Sequence, residues 1–408
     1  IKYNQLFLFY ATFCLSIIDI LIFADMRRTN IYKILALLMV LSIVGGGIWY
    51  AQLSTRHKAI VKTTLLHKTG LVDNDWQVEN HSKEYKMLSP TFIVDDIYKS
   101  MEGPKASNYV MLSQDSTLLW ITGFKVVAQD AKTGEKMSND FICHMNVDMN
   151  DSKYYSTFGL EDRIGKQYPR LTSLSHGMEA FEFPEGYGVP IKGNDFLYVT
   201  TQTLNHNIKE AYYKVKHKVS ISYQEDKNIK PLMSKTAFIM LPYDKYDPYK
   251  SPTDPGADFC IPVETKNHSY DDGSGNKLSG HWVIPTGKNT YRSGINHQLG
   301  IKDSLRLHAA AIHVHPFATR IMLFNKTTQK PIFVSKVTNH QNSIGLTNIE
   351  NFTSKEGIWL YANQEYEIVL EVNNTSKEDQ DMMGSMFLFF YDEEMDAIVN
   401  SKFISKAK

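Results

Sequence analysis

The chain reads as a mainly β protein: two tandem jelly-roll-like antiparallel β-sandwich domains behind an N-terminal transmembrane segment or hairpin. Three observations predict this. Helical periodicity nearly vanishes after residue 88. In its place, short runs rich in Val, Ile, Tyr, Phe and Thr recur between turn signals, the pattern of sandwich strands rather than of βαβ units. A break at 242–257, PYDKYDPYKSPTDPGA, holds four prolines and divides those runs into two groups. Ahead of everything lie two apolar stretches.

The first stretch, residues 6–24, carries one charge, Asp19, and the second, 34–53, carries none. Each is near the roughly 20 residues that a membrane helix needs. Arg27, Arg28 and Lys33 lie between them. If both stretches span, the basic loop is cytoplasmic. If the natural chain starts at Met26, Arg27-Arg28 and the second stretch form a signal-anchor. Both readings make residues 1–53 membrane-associated and, with the basic loop inside, place the large remainder outside the cytoplasm, periplasmic or extracellular; the alternative is a buried hairpin in a soluble protein. Residues 54–88 are polar and mixed in charge, as in a stalk. Strand-like runs such as STLLWITGFKVVAQ, DFICHMNV and AYYKVKHKVSISYQ fill 89–241. After the linker, SLRLHAAAIHVH, GIWLYANQEYEIVLEVNN and GSMFLFFYD belong to a second sandwich at 258–408.

With 44 basic and 44 acidic side chains among 408 residues, the chain has no basic footprint for nucleic acid. Hydrophobic content of 43% is too high for a disordered chain, and three cysteines cannot make a disulfide scaffold. GxSxG, HExxH, a phosphate-cradling loop and a zinc CxxC pair are all missing, and the Gly-rich stretch 271–280 reads as a loop.

What remains for chemistry is a set of histidines and sulfur side chains. His313 and His315, in LHAAAIHVHPF, sit two apart on a strand and so share a face. Two imidazoles on one face with a third ligand from another strand make a metal site, and a thioether third ligand selects Cu(I). Spacing alone fits a partly exposed histidine pair better than a metal site. Met382, Met383 and Met386 precede an apolar strand; three methionines this close usually fill a core, although one beside a turn can face a metal. Cys143-His144-Met145 and His206 complete the set, each unremarkable alone.

Taken together, the order and spacing of these pieces over residues 90–395 resemble the type II copper, ascorbate-dependent monooxygenases, the family of peptidylglycine α-hydroxylating monooxygenase and dopamine β-monooxygenase. WVIPTGKNTYR (282–292) looks like the family's IPPG-type strand, the His313/His315 strand like its HxH strand, and DMMGSMFLFFYD like its methionine-ligand strand with Met383 in register. FICHMNVDM falls where the family has His-His-Met, and the stretch through NHN leads to a third histidine, here His206. The chain departs from the family at Cys143, which stands for the first of the paired histidines. It departs again at Ala311 and Phe387, where peptide-hydroxylating members have an arginine and a tyrosine that grip a peptide carboxylate.

The resemblance implies two coppers. One would be held by His313, His315 and Met383, where O2 and a small-molecule substrate would react. The other would be held by His144, His206 and, if its thiolate points that way, Cys143; His176 and His308 lie near enough to be extra ligands or supports. It also implies an external one-electron donor such as ascorbate or a periplasmic redox protein, and hydroxylation of a C–H bond; the near lack of cysteine makes the chain look like a bacterial relative, anchored by its apolar N-terminal stretches. Two other readings stay open at this point: a copper-binding or structural subunit of a membrane complex without full activity, and a metal-free β-sandwich binding module.

Overall fold

The computed structural model describes residues 30–81, 83–210, 212–225, 228–242, 270–271 and 277–404. The first apolar stretch with Cys14, Cys260, and the linker beyond Pro242 lie outside these residues. The chain divides into two compact units, Ile1–Lys58 and Ala59–Lys408. In the first, the second apolar stretch forms a helix, Asn30–Gln52, whose residues Tyr32–Gln52 are long and apolar enough to cross a membrane. A second helix, Thr55–Lys68, begins just before the boundary.

The second unit is mainly β and sandwiched, as the recurrent β-former-rich runs between turn signals predict. Its largest sheet has 12 strands. Along its main path, Gln77–His81, Glu84–Leu88, Tyr213–Gln224, Leu118–Asp130 and Tyr187–Lys192 are followed by Lys230–Phe238, Gln380–Tyr391, Ser304–Val314 and Phe352–Tyr361. The pairings are antiparallel except for a short parallel contact between Tyr187–Lys192 and Lys230–Phe238. The sheet is therefore continuous across the two groups of strand signals. Lys230–Phe238, from before the linker, is zipped over its whole usable length to Gln380–Tyr391, from Leu232↔Tyr391 to Phe238↔Ser385.

Besides a short 3-stranded sheet, two smaller sheets accompany it among the described residues. Lys105–Val110, Leu197–Thr203, Ile142–Met149 and Arg170–Leu174 form a 4-stranded sheet; Gly287–Gly294, Tyr366–Asn374, Ala318–Asn325, Lys330–Asn339 and Leu346–Ile349 form a 5-stranded one. One hydrophobic cluster runs through all of them. Phe389 of the large sheet stacks on Phe181 and meets Phe183 edge-on, with ring centroids 5.7 and 4.5 Å away. Close approach is visible at Gly384, where a Cβ would stand 3.0 Å from Ile239 and 3.3 Å from Leu370. This glycine lets the strand that carries Asp381 and Met383 lie against its neighbours.

Candidate metal centre

The strand Ser304–Val314 delivers His313 and, one residue past its end, His315. Both are buried, and their rings stand 5.5 Å apart and perpendicular. The register His313↔Ser385 and the two-residue alternation place them on the face that also receives Asp381. Across the next pairing, His281 of strand His281–Ile284 is the direct neighbour of Met383.

Three groups converge here. His281 Nε2 lies 2.8 Å from Asp381 Oδ1, and His315 Nδ1 lies 3.0 Å from Asp381 Oδ2. Yet His315 Nδ1 and Asp381 Oδ1 have no hydrogen-bond partner, so these approaches lack the directionality of N–H···O bonds. One ligand atom from each residue falls within 4.8 Å of the others. Burial pushes the Asp381 carboxyl up, but the His281 and His315 imidazoles outweigh it and hold the group well below the usual carboxylate range. A cation seated among the three would complete every one of these short approaches.

The centre opens on a cleft of about 720 Å³ within the Ala59–Lys408 unit. Cys143, His176, His206, His313 and His315 all line it, together with Ser100 and Asp381. His176 lends its Nδ1 to the Ile142 carbonyl at 3.1 Å, which leaves Nε2 buried without a hydrogen-bond partner; His206 Nε2 is in the same position, its ring 6.4 Å away. Burial pushes His176 down to about 4 and His206 down to about 3; it also drives His313 well below its ordinary value, with the neighbouring His315 adding to the effect. These three are neutral imidazoles at neutral pH.

The expected ligands are thus gathered only in part. His313, His315, His206 and Cys143 share one cleft rather than two separate centres. His144 does not line it: it follows Cys143 on the strand Ile142–Met149, so the two side chains take opposite faces. Met383 is half-buried next to His281 and does not line the cleft, while Met382 and Met386 fill the core. His308 is a core residue, stacked on Tyr187 with centroids 4.1 Å apart and bonded through Nδ1 to the Ser354 carbonyl. Sequence reasoning passed over His281 and Asp381. The signal was present, since Asp381 is two residues from Met383 and therefore on its face.

No protein-family model matches the chain, and no curated protein does. Among solved structures, it is similar to PNGase F, described as a peptide-N(4)-(N-acetyl-β-D-glucosaminyl) asparagine amidase, at 10% identity, TM-score 0.29, covering 74% of this chain and 96% of that one. A second PNGase F structure, a glycosylasparaginase from Flavobacterium meningosepticum, gives 8% identity, TM-score 0.32 and coverage of 76% and 96%. The major capsid protein P2 of bacteriophage PM2 gives 9%, 0.29, 75% and 97%. Likenesses this faint carry no argument about what the chain does.

These findings correct the expected kinship with the copper monooxygenases, and with it the expected oxidoreductase activity. No model of that family matches, and the expected ligands do not form two separate centres: His313, His315, His206 and Cys143 share one cleft, which His144 and Met383 do not line. The physical reason is that the motifs rested on common strand chemistry. An HxH pair follows from any two histidines on one face, and two of the three clustered methionines are core filler.

Proposed function

We propose that this protein is a membrane-anchored β-sandwich protein that holds one divalent transition-metal ion on His281 Nε2, His315 Nδ1 and the Asp381 carboxylate, beside a cleft that admits a small molecule. The observation that carries this reading is the pair of short imidazole–carboxylate approaches that lack hydrogen-bond geometry. Two imidazoles and one carboxylate suit zinc, iron or copper and leave coordination positions open toward the cleft. The apolar helix supports the anchor.

The test is metal content of the full chain purified in detergent. One equivalent of zinc, iron or copper is expected, and the element found identifies the ion. Asp381→Asn and His281→Ala should each remove it. Metal retained at the wild-type level in both variants would sink the proposal.

One contact favours a second reading. Ser100 Oγ lies 3.5 Å from His315 Nε2, and the other ring nitrogen, Nδ1, is 3.0 Å from Asp381 Oδ2, the order of nucleophile, base and orienting acid in an acyl-transfer site. Labelling of the wild type but not of Ser100→Ala by a fluorophosphonate, with no bound metal, would support it over the metal centre.

A further inference from the structure

A second cleft, of about 670 Å³, shares no lining residue with the histidine cleft. Its floor includes Lys235, from the strand Lys230–Phe238, opposite Leu388. Lys235 is only 8% exposed, and among the described residues its ammonium makes no hydrogen bond or ion pair. The residue is buried in the wall but lines the cleft, so its unpaired ammonium is a charge that an anion in the cleft would match. Burial draws the amine down to about 8, and the Arg163 guanidinium adds to the effect; Lys302 adds further, and Asp392 partly offsets it. At neutral pH the amine is still mostly protonated.

The acids around the cleft do not supply the missing partner. Asp392 and Glu394 are taken by Arg163, at 2.5 and 2.6 Å, and Asp162 pairs with Lys166 at 3.8 Å. Asp303 and Glu393 are exposed at the rim. A second cation, Arg306, lines the same cleft between the faces of Trp359 and Tyr391, each 5.4 Å from its guanidinium carbon, and its Nε is buried without a hydrogen-bond partner. Two cations with unspent donors, one almost wholly buried, flank a space larger than any single ion.

We propose that this cleft binds a small molecule through a phosphate or carboxylate group, with Lys235 as the primary contact and Arg306 and Lys302 supplying further positive charge. The unpaired Lys235 ammonium is the feature such an oxyanion satisfies, through a charge-assisted hydrogen bond. The inference is independent of the metal centre.

The experiment is calorimetric titration of the full chain in detergent with inorganic phosphate and, separately, with acetate, against chloride at matched ionic strength. Saturable binding of one or both is expected, and which of them binds identifies the group. Lys235→Met should weaken that binding about tenfold or more, the loss of one charge-assisted contact. Because that change removes a buried charge, the variant should melt no lower than the wild type. Lys235→Gln, which keeps length and polarity, should weaken binding in the same way. Binding of neither anion, or binding unchanged in both variants, overturns the proposal.

Discussion

His281 reaches past its direct cross-strand neighbour, Met383, to place its Nε2 2.8 Å from the carboxylate of Asp381. This diagonal separates the residue that resembled a ligand from the one that sits among ligands. Met383→Leu should therefore leave metal content unchanged, whereas His315→Ala should lower affinity by more than about a hundredfold, since even outer-sphere partners of a metal are worth roughly tenfold to a hundredfold. Parallel metal analysis of the two variants decides. Metal lost on Met383→Leu would return the thioether to the ligand set.

Arg163 joins residues far apart in the chain. Its guanidinium holds Asp392 through two bonds of 2.5 and 3.1 Å, and Asp392 also caps the helix Glu393–Val399 through Met395 N–H. Asp392 is 3% exposed. Arg163→Met leaves that carboxylate buried and unpaired, with an expected cost of about 3–5 kcal/mol in denaturant unfolding. A loss below about 1 kcal/mol would mean that water replaces the guanidinium.

His217 is fully buried, with Nε2 donating to the Phe141 carbonyl at 3.1 Å and Nδ1 accepting from the Thr201 hydroxyl. Burial pushes it down to about 4, against about 6.5 in an unfolded chain. Between those values the unfolded state carries a proton that the native state refuses. The stabilisation is therefore complete above about pH 6.5 and is lost as pH falls toward 4, amounting to on the order of 3 kcal/mol. Unfolding measured from pH 7 to pH 4 should be steeper in pH for the wild type than for His217→Gln; parallel curves would refute the assignment.

Phe389 is wholly buried in a mutual cluster with Phe181 and Phe183. Phe389→Ala should cost about 3–5 kcal/mol, read as a lowered denaturation midpoint. A cost near that of a surface change would show that the aromatic cluster collapses onto the gap.

Much of the fold was legible because short Val/Ile/Tyr/Phe/Thr-rich runs between turn signals mark strands, and successive side chains on a strand alternate faces. The run LHAAAIHVH places His313 and His315 on one face, and the structure keeps them there. The centre was only half legible, for a reason of scale. Alternation says which residues share a face, but not which strand lies beside them. His281 and Asp381 are a hundred residues apart in the chain and meet only through the pairing of His281–Ile284 with Gln380–Tyr391. Cys143 and His144 show the converse: adjacency in sequence suggested a joint ligand pair, and the same alternation sends them to opposite faces. Lys235 was invisible because a lone lysine in a strand normally sits on an open surface, and only the packing around it shows that this one is buried in the wall of a cleft.

The pairing of Lys230–Phe238 with Gln380–Tyr391 sets how this chain can be divided. A cut in the proline-rich stretch looks harmless on paper. It would strand Lys230–Phe238 on a fragment where its remaining sheet contact is the short parallel one to Tyr187–Lys192, and it would bare the backbone of Gln380–Tyr391 on the other fragment. Both fragments would then display raw strand edges of the kind that recruit other chains into aggregates. The two halves are separate as text and inseparable as material: either half expressed alone is a recipe for precipitation, and the pair is best thought of as one folding decision.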